Sequence, residues 1–170
     1  MPFPFLPTWT APAVTGISPD FLKKQGIKLV MLDFDNTIVP YTTDIPTSAV
    51  NRWLQQMLAS DIKLCIVSNS HSSRVPNFCK KHGIACITRA KKPFSKGICQ
   101  CLRRFGIKPT EAVMVGDQIY TDTMGGNCAG VRTILVPSIH NHKLWLKLRH
   151  VAEMPFILAS KNRRIPHEES

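Results

Sequence analysis

Two aspartates separated by one residue, Asp33 and Asp35, directly follow a short apolar run, Ile27 to Leu32. The run is interrupted only by Lys28 and contains β-branched residues, which predicts a buried strand. Ligands of an open parallel sheet bind outside the carboxyl ends of its strands, and residues two apart in an extended segment point to the same side. The two carboxylates should therefore lie close together, where a divalent cation is the usual way to keep both ionised. A polar turn after a strand would explain one aspartate but accounts less well for two.

A second acidic cluster, residues 116–122, follows another predicted strand, Ala112 to Val115. It contains Asp117 and Asp122, and its first residue, Gly116, lets the backbone approach a neighbour closely. Hard oxygen ligands at the ends of two adjacent strands suit Mg²⁺, which also retains waters and a substrate phosphate. The sequence therefore predicts a magnesium site at this edge of the sheet.

Two groups that could hold a phosphate also follow predicted strands. Ser68 comes at the end of the strand predicted over Ile62 to Val67, where its hydroxyl and backbone donors could bind phosphate oxygens. Lys92, just before Pro93, offers a positive charge against the phosphate. Each of these pieces is weak evidence alone, but their order along the chain, each after a strand, is a strong indication of a phosphate-handling site.

The elements that must position these groups alternate along the chain. Two further strands are predicted at Ile84 to Thr88 and Thr133 to Val136, which makes five in all. Helices are predicted over Ser48 to Ser60, about Val75 to His82 and Lys96 to Phe105; Ser48 or Thr47 would cap the first, and Gly83 and Gly106 would end the others. Short strands separated by helices predict a three-layer α/β fold.

The composition indicates one globular domain. The chain has 170 residues, of which 44% are hydrophobic, and no apolar run approaches the roughly 20 residues that a membrane-spanning helix needs. The first ten residues lack a basic leader, so the expected location is the cytoplasm. Six cysteines without a CxxC pair are expected to be reduced.

The net charge of +11 is concentrated in one stretch. Between positions 74 and 104 there are nine basic residues and no acidic one: Arg74, Lys80, Lys81, Arg89, Lys91, Lys92, Lys96, Arg103 and Arg104. Such a block attracts anions, whether nucleic acid, a phosphorylated substrate or anionic lipid. A solvated basic face without a dedicated partner is an equally good explanation.

Taken together, these segments resemble the four motifs of haloacid dehalogenase superfamily phosphatases, and more narrowly the YqeG-like branch of subclass IIIA. The resemblance spans about Phe5 to Arg164 and rests on residues 33–37 (DFDNT), 67–69 (VSN), 92–93 (KP) and 116–127 (GDQIYTDTMGGN). Ser70 stands where that branch is expected to have a second asparagine.

The resemblance implies catalytic roles. Asp33 would be the nucleophile that accepts the phosphoryl group, and Asp35 would act as general acid and then general base. Mg²⁺ would be held by the carboxylates of Asp33 and Asp117 and by the backbone carbonyl of Asp35, with Asp122 in support.

It also implies a set of phosphate-binding residues: Thr37, Ser68, Asn69 and Lys92. These would offset the charge of the transferred phosphoryl group, for which positioning and electrostatics dominate. Lys91 is a neighbouring candidate, but the following Pro93 favours Lys92.

The implied fold is a three-layer α/β/α Rossmann-like arrangement with a mainly parallel sheet and no cap domain. The stretches 35–68 and 68–92 are too short for a cap, so the site should be open to large substrates, whose own bulk can exclude water. We expect a single domain over 1–170, with the motifs within about 26–140 and a basic helical tail over about 141–170. In that tail Leu144, Trp145, Leu148 and Val151 could form an amphipathic helix.

The YqeG-like branch is similar to phosphatases that act on phosphatidylglycerophosphate in mitochondria and plastids, which makes a phospholipid head group the leading specific substrate. The N-terminal apolar residues (Phe3, Phe5, Leu6 and Trp9) would suit peripheral contact with the inner membrane surface, or would cover the domain's own core. A phosphoprotein or nucleotide substrate, phosphoryl transfer to another acceptor, and a basic nucleic-acid or ribosome-associated binding protein are the alternatives. The last would leave the intact motifs unexplained, and the chain shows no aromatic-rich RNA-binding signature.

Overall fold

The computed structural model describes residues 3–139 and 153–166, in which six strands form one parallel sheet. The strand order is β1-β6-β5-β2-β3-β4, and every neighbouring pair is parallel. The strands are β1 (Trp9–Thr10), β2 (Leu29–Leu32), β3 (Lys63–Val67), β4 (Ala85–Ile87), β5 (Ala112–Gly116) and β6 (Arg132–Leu135). The predicted three-layer α/β fold with a mainly parallel sheet is confirmed.

Helices connect the strands, as parallel pairing requires. They are α1 (Pro19–Lys24), α2 (Ser48–Ala59), α3 (Arg74–His82), α4 (Lys96–Phe105), α5 (Met124–Cys128) and α6 (residues 153–159). A π-helical turn, Ile119–Thr123, immediately precedes α5. Thr47 caps α2 by accepting a hydrogen bond from the Val50 backbone N–H, and α3 and α4 end at Gly83 and Gly106, both with positive φ, as predicted.

The register of the three central strands brings the motif residues to one level. Leu32 of β2 lies opposite Ile66 of β3 and Val115 of β5. The residues that follow these strands therefore meet at the same edge, here called the catalytic edge. The central strands are almost wholly buried on both faces, which explains their continuous apolar sequences.

No cap domain interrupts the chain within residues 3–139. Residues 33–47 lead from β2 directly to α2, and residues 68–73 lead from β3 directly to α3. The predicted open, capless fold is confirmed; within residues 3–139 only short connections and the π-helical turn stand between the strands and helices at the catalytic edge.

The N-terminal segment packs against its own domain. Trp9 belongs to β1 and contacts the ring of Phe21, while the ring of Phe5 contacts Phe156. The side-chain amide of Asn127 donates to the carbonyls of three residues of this segment: Phe3, Pro4 and Leu6. The explanation that these residues cover the core therefore holds for Trp9, whereas Phe5 packs on Tyr120 and Phe156 and Phe3 stays exposed.

No helix among the described residues is both long enough and apolar enough to cross a membrane. The amphipathic helix predicted around Leu144 to Val151 lies outside the described residues. Residues 164–165 return to the sheet, where the Ile165 backbone N–H donates to the carbonyl oxygen of Thr10.

Candidate active site

Three carboxylates converge at the catalytic edge. Asp33 follows β2, Asp117 follows β5, and Asp122 lies on the π-helical turn; all three are buried, and an oxygen from each lies within 4.8 Å of the others. The Gln118 backbone N–H donates to Asp122 Oδ2 at 3.2 Å. Glycine is required at position 116, because a Cβ there would overlap the Asp122 carboxylate.

Lys92 reaches into this cluster with a side chain that is only 1% exposed. Its Nζ lies 2.7 Å from Asp33 Oδ1 and 2.7 Å from Asp122 Oδ1. Burial alone would lower the pKa of Lys92, but the carboxylates of Asp122 and Asp33 outweigh burial and raise that pKa, so the ammonium group stays charged. Burial raises the pKa of Asp122 to about 6, although the attraction of Lys92 opposes the shift.

The donor set of this cluster fits Mg²⁺. Carboxylate oxygens are the hard ligands that Mg²⁺ prefers, and three carboxylates against one ammonium group leave a net charge that a divalent cation would balance. The raised pKa of Asp122 reflects the cost of holding the carboxylates ionised together in a buried place. The carboxylates of Asp33, Asp117 and Asp122 would hold the cation; binding by the Asp35 carbonyl stays a prediction.

The Asp35 side chain points elsewhere, toward Arg74 at the start of α3. Arg74 Nη1 donates to Asp35 Oδ1 at 3.0 Å, and its Nε pairs with Asp44. Its second terminal nitrogen donates to the carbonyls of Pro40 and Thr43 at 3.3 and 2.8 Å. One guanidinium thus binds four residues of the loop between β2 and α2.

Burial also affects the acidity of Asp35. It raises the pKa of this carboxyl above its ordinary value; the charge of Arg74 opposes the shift, and the Asp33 carboxylate adds to it. A carboxyl that keeps its proton to higher pH suits the predicted general acid.

Sequence reasoning missed the role of Arg74 and counted it with the basic surface. In the structure Arg74 and Lys92 are both committed to internal ion pairs. The other seven residues of the stretch are exposed: Lys80, Lys81, Arg89, Lys91, Lys96, Arg103 and Arg104. The position of Arg74 at the first residue of the helix that follows the Ser68 loop was the available signal, because such residues face the catalytic edge.

Asn69 and Lys92 are joined through the lysine backbone. Asn69 Oδ1 accepts from the Lys92 N–H at 2.7 Å, and Asn69 Nδ2 donates to the Lys92 carbonyl at 2.9 Å. Ser68 fastens the same loop, because its carbonyl accepts from the Ala90 N–H at 3.0 Å. The visible contribution of Asn69 is to hold the Lys92 loop; direct phosphate contact by Asn69 stays a prediction.

Ser68 and Thr37 complete the set of predicted residues. The Ser68 hydroxyl accepts from the Ser70 N–H at 3.0 Å and is buried beside the Lys92 loop. Thr37 Oγ1 donates to Asp117 Oδ1 at 3.4 Å, from a tight turn in which Asn36 has a φ of 61°. The structure brings both residues to the catalytic edge, and their phosphate binding stays a prediction.

Comparisons with known proteins agree with this geometry. A model of the haloacid dehalogenase-like hydrolases matches residues 43–136. The chain is 36% identical over 132 residues to the probable phosphatase YqeG of Bacillus subtilis, covering 78% of this chain and 77% of that protein. It is also 29% identical over 156 residues to phosphatidylglycerophosphate phosphatase 1, chloroplastic/mitochondrial, of Arabidopsis thaliana, covering 85% of this chain and 41% of that protein.

A solved structure shares the fold. The cobalt-bound form of deoxy-D-mannose-octulosonate 8-phosphate phosphatase from Haemophilus influenzae superposes with a TM-score of 0.54 at 12% identity, covering 82% of this chain and 91% of that one. Because a family model matches more than half of the chain and a phosphatase relative aligns over most of both lengths, this chain belongs to the haloacid dehalogenase-like hydrolases and is a phosphatase of that superfamily.

Proposed function

We propose that the chain is a Mg²⁺-dependent phosphomonoesterase that forms an aspartyl phosphate on Asp33 and acts on the phosphorylated head group of a phospholipid. One observation carries the mechanism: the Asp33 carboxylate lies against the Lys92 ammonium group, inside a cluster with Asp117 and Asp122. A nucleophile beside a buried cation can approach an anionic phosphate without prohibitive repulsion.

In the first step an Asp33 oxygen attacks phosphorus, and the bond from phosphorus to the ester oxygen breaks. Asp35 gives its proton to the departing oxygen, which leaves as an alcohol. In the second step Asp35 takes a proton from water, whose oxygen attacks the phosphorus of the aspartyl phosphate. Inorganic phosphate leaves, and the Asp33 carboxylate is restored.

The remaining residues bind and orient. Lys92 Nζ, which lies 2.7 Å from Asp33 Oδ1, would contact phosphoryl oxygens attached to that aspartate. Ser68 lies on the neighbouring strand end, where its hydroxyl would orient the phosphoryl group; its own backbone N–H donates to the Ile87 carbonyl at 3.0 Å and is not available for this. Mg²⁺, when bound, would neutralise negative charge on the phosphoryl oxygens.

Three observations support a lipid substrate. The site is capless, so a head group on a large surface can reach it. Seven exposed basic residues between positions 80 and 104 favour an anionic surface. The similarity to a phosphatidylglycerophosphate phosphatase extends over 85% of this chain.

Phosphate release from a substrate panel tests the proposal. With Mg²⁺ present, we expect phosphatidylglycerophosphate to be hydrolysed faster than a nucleotide, a sugar phosphate or a phosphopeptide. Faster turnover of one of the soluble substrates would contradict the lipid substrate, whereas no turnover of any ester would contradict the phosphatase.

Asp33→Asn tests the covalent step. An amide cannot accept the phosphoryl group, yet its size is nearly unchanged, so turnover should fall below detection while circular dichroism stays that of the parent. Intact-mass analysis of quenched parent enzyme should show the added phosphoryl group, and the variant should not. Activity of the variant within a few-fold of the parent would refute the aspartyl phosphate.

A further inference from the structure

Two large apolar side chains stand out in solvent at the catalytic edge. Ile45 is 74% exposed and Phe94 is 73% exposed, more than any other large hydrophobic side chain among the described residues. Single exposed apolar residues are common on protein surfaces, but these two lie at the same edge of the sheet, which suggests that they act together.

The two residues lie on the loops that carry the chemistry. Ile45 is on the loop from β2 to α2, which bears Asp35, and Phe94 is on the loop from β4 to α4, which bears Lys92. In the sheet β2 and β4 are separated only by β3, so the ends of these two strands are about 10 Å apart. Tyr41, which is 42% exposed, lies on the first of these loops as well.

Hydrogen bonds hold both loops in place. Arg74 binds the carbonyls of Pro40 and Thr43 and pairs with Asp44. On the other loop the Phe94 N–H donates to the Lys91 carbonyl at 2.9 Å. The next residue, Lys92, is held by the two hydrogen bonds between its backbone and the Asn69 amide, here called the Asn69 clamp. The side chains of Ile45 and Phe94 therefore extend into solvent from loops whose backbones are held by hydrogen bonds close to the active-site residues.

The charges around these side chains are positive. Exposed Arg89, Lys91 and Lys96 surround Phe94 in the sequence. The acid nearest Ile45 along the chain, Asp44, is paired with Arg74. Among the described residues no acid pairs with these three basic side chains. An edge that joins exposed apolar side chains to such basic groups matches a surface with anionic head groups above an apolar layer.

We propose that Ile45 and Phe94, with Lys91 and Lys96, form a docking rim that seats the catalytic edge on an anionic lipid bilayer. The inference rests on the proposed lipid substrate, and it adds how that substrate is reached: the head group enters the open site from a surface already in contact with the rim. A nucleic acid fits the charges but not the aliphatic Ile45, because bases stack on aromatic rings.

Vesicle binding with matched variants tests the rim. The parent should sediment with phosphatidylcholine vesicles that contain phosphatidylglycerol, less with pure phosphatidylcholine, and less as salt rises. The double variant Ile45→Ser/Phe94→Ser should lose binding by about tenfold or more, since these side chains would no longer enter the apolar layer. Leu58→Ser is the control, because Leu58 is 37% exposed near the end of α2 at the opposite edge.

Charge reversal at the two ends of α4 provides a second comparison. Lys96→Glu at the catalytic edge should weaken vesicle binding several-fold, whereas Arg103→Glu at the far end of the same helix should change it little. Hydrolysis of a soluble aryl phosphate should stay at the parental rate in all four variants.

The outcomes separate the rim from the proposed substrate. Parent enzyme that hydrolyses the soluble ester but does not sediment with anionic vesicles would overturn the rim and leave the phosphatase. Equal vesicle binding by the Ile45/Phe94 and Leu58 variants would also overturn the rim. So would binding of single-stranded RNA that is tighter than vesicle binding and is unchanged in the Ile45/Phe94 double variant. Vesicle binding without hydrolysis of phosphatidylglycerophosphate would support the rim and refute the lipid substrate.

Discussion

The guanidinium of Arg74 holds the carboxylate of Asp35, with 3.0 Å between Nη1 and Oδ1. The same group lies over the ring of Phe34, 5.6 Å from its centre, and binds the loop up to Asp44. Asp35 is thus turned away from the carboxylate cluster, and in the proposed mechanism it would exchange a proton with the leaving group from this position. We regard Arg74 as a positioning residue, because it acts through Asp35.

Arg74→Met should lower kcat by roughly tenfold to a hundredfold for an alkyl phosphate, whose leaving oxygen needs a proton from a well-placed acid. The loss should be much smaller for a nitrophenyl phosphate, whose leaving group departs as an anion. Arg74→Lys should recover part of the activity. Steady-state kinetics with both esters checks this, with Arg103→Met as a control; equal losses for the two esters would contradict the link to Asp35.

Gly116→Ala should strongly lower activity, because the added methyl group would displace the Asp122 carboxylate from Lys92 and from the cluster. Gly16→Ala is the matched control, since a Cβ there meets only Pro12 at 3.4 Å, an ordinary contact. Activity assays and thermal unfolding of both variants check the prediction. A Gly116→Ala enzyme with parental activity would mean that Asp122 can move without consequence.

Asn69→Ala should destabilise the fold by about 1–3 kcal/mol, because it leaves the N–H and the carbonyl of Lys92 without their amide partner. It should also raise the inhibition constant of inorganic phosphate, since Lys92 would be less well held. Asn77→Ala, at an exposed position of α3, is the control. Chemical denaturation and phosphate inhibition measure the two effects; a change in neither would show that the clamp is dispensable.

Removal of Mg²⁺ should abolish turnover, and its return should restore it. Ca²⁺ should substitute poorly, because it prefers more ligands and looser geometry. Mg²⁺ should also raise the melting temperature by binding the folded carboxylate cluster, and Asp122→Asn should reduce that shift. Full activity in excess chelator, or an unchanged melting temperature with Mg²⁺, would contradict the metal site.

The sequence predicted most of the sheet because its strands are buried on both faces. The continuous apolar runs ending before Asp33, Ser68 and Asp117 are typical of central parallel strands, and the structure has strands at these places. Helix ends at Gly83 and Gly106 could be predicted because a residue with positive φ favours glycine. By contrast β1, with only two residues, is too short to show any period.

The gathering of Asp33 and Asp117 could be anticipated, because the topology alone brings strand ends together, whereas Asp122 reaches them from the π-helical turn. Individual hydrogen bonds could not. The start of α3 could be predicted to within one residue, but the pairing of Arg74 with Asp35 also depends on how a flexible side chain turns, which leaves no pattern in the sequence. The same holds for the Asn69 amide. Its partners are backbone atoms, and because nearly every residue has the same backbone groups, the sequence does not reveal which of them will be bound.

The sheet order has a consequence for the chain during its synthesis. The strand that precedes Asp33, β2, is made early, but its neighbour β5 comes much later; the hydrogen bond from Thr37 to Asp117 spans 80 residues. The edge strand β1 is made long before its neighbour β6; Thr8 and Thr133, which hydrogen-bond where these strands pair, are 125 residues apart. A nascent chain therefore carries Asp33 well before it can assemble the carboxylate cluster, and β1 cannot pair with β6 until most of the chain has been made.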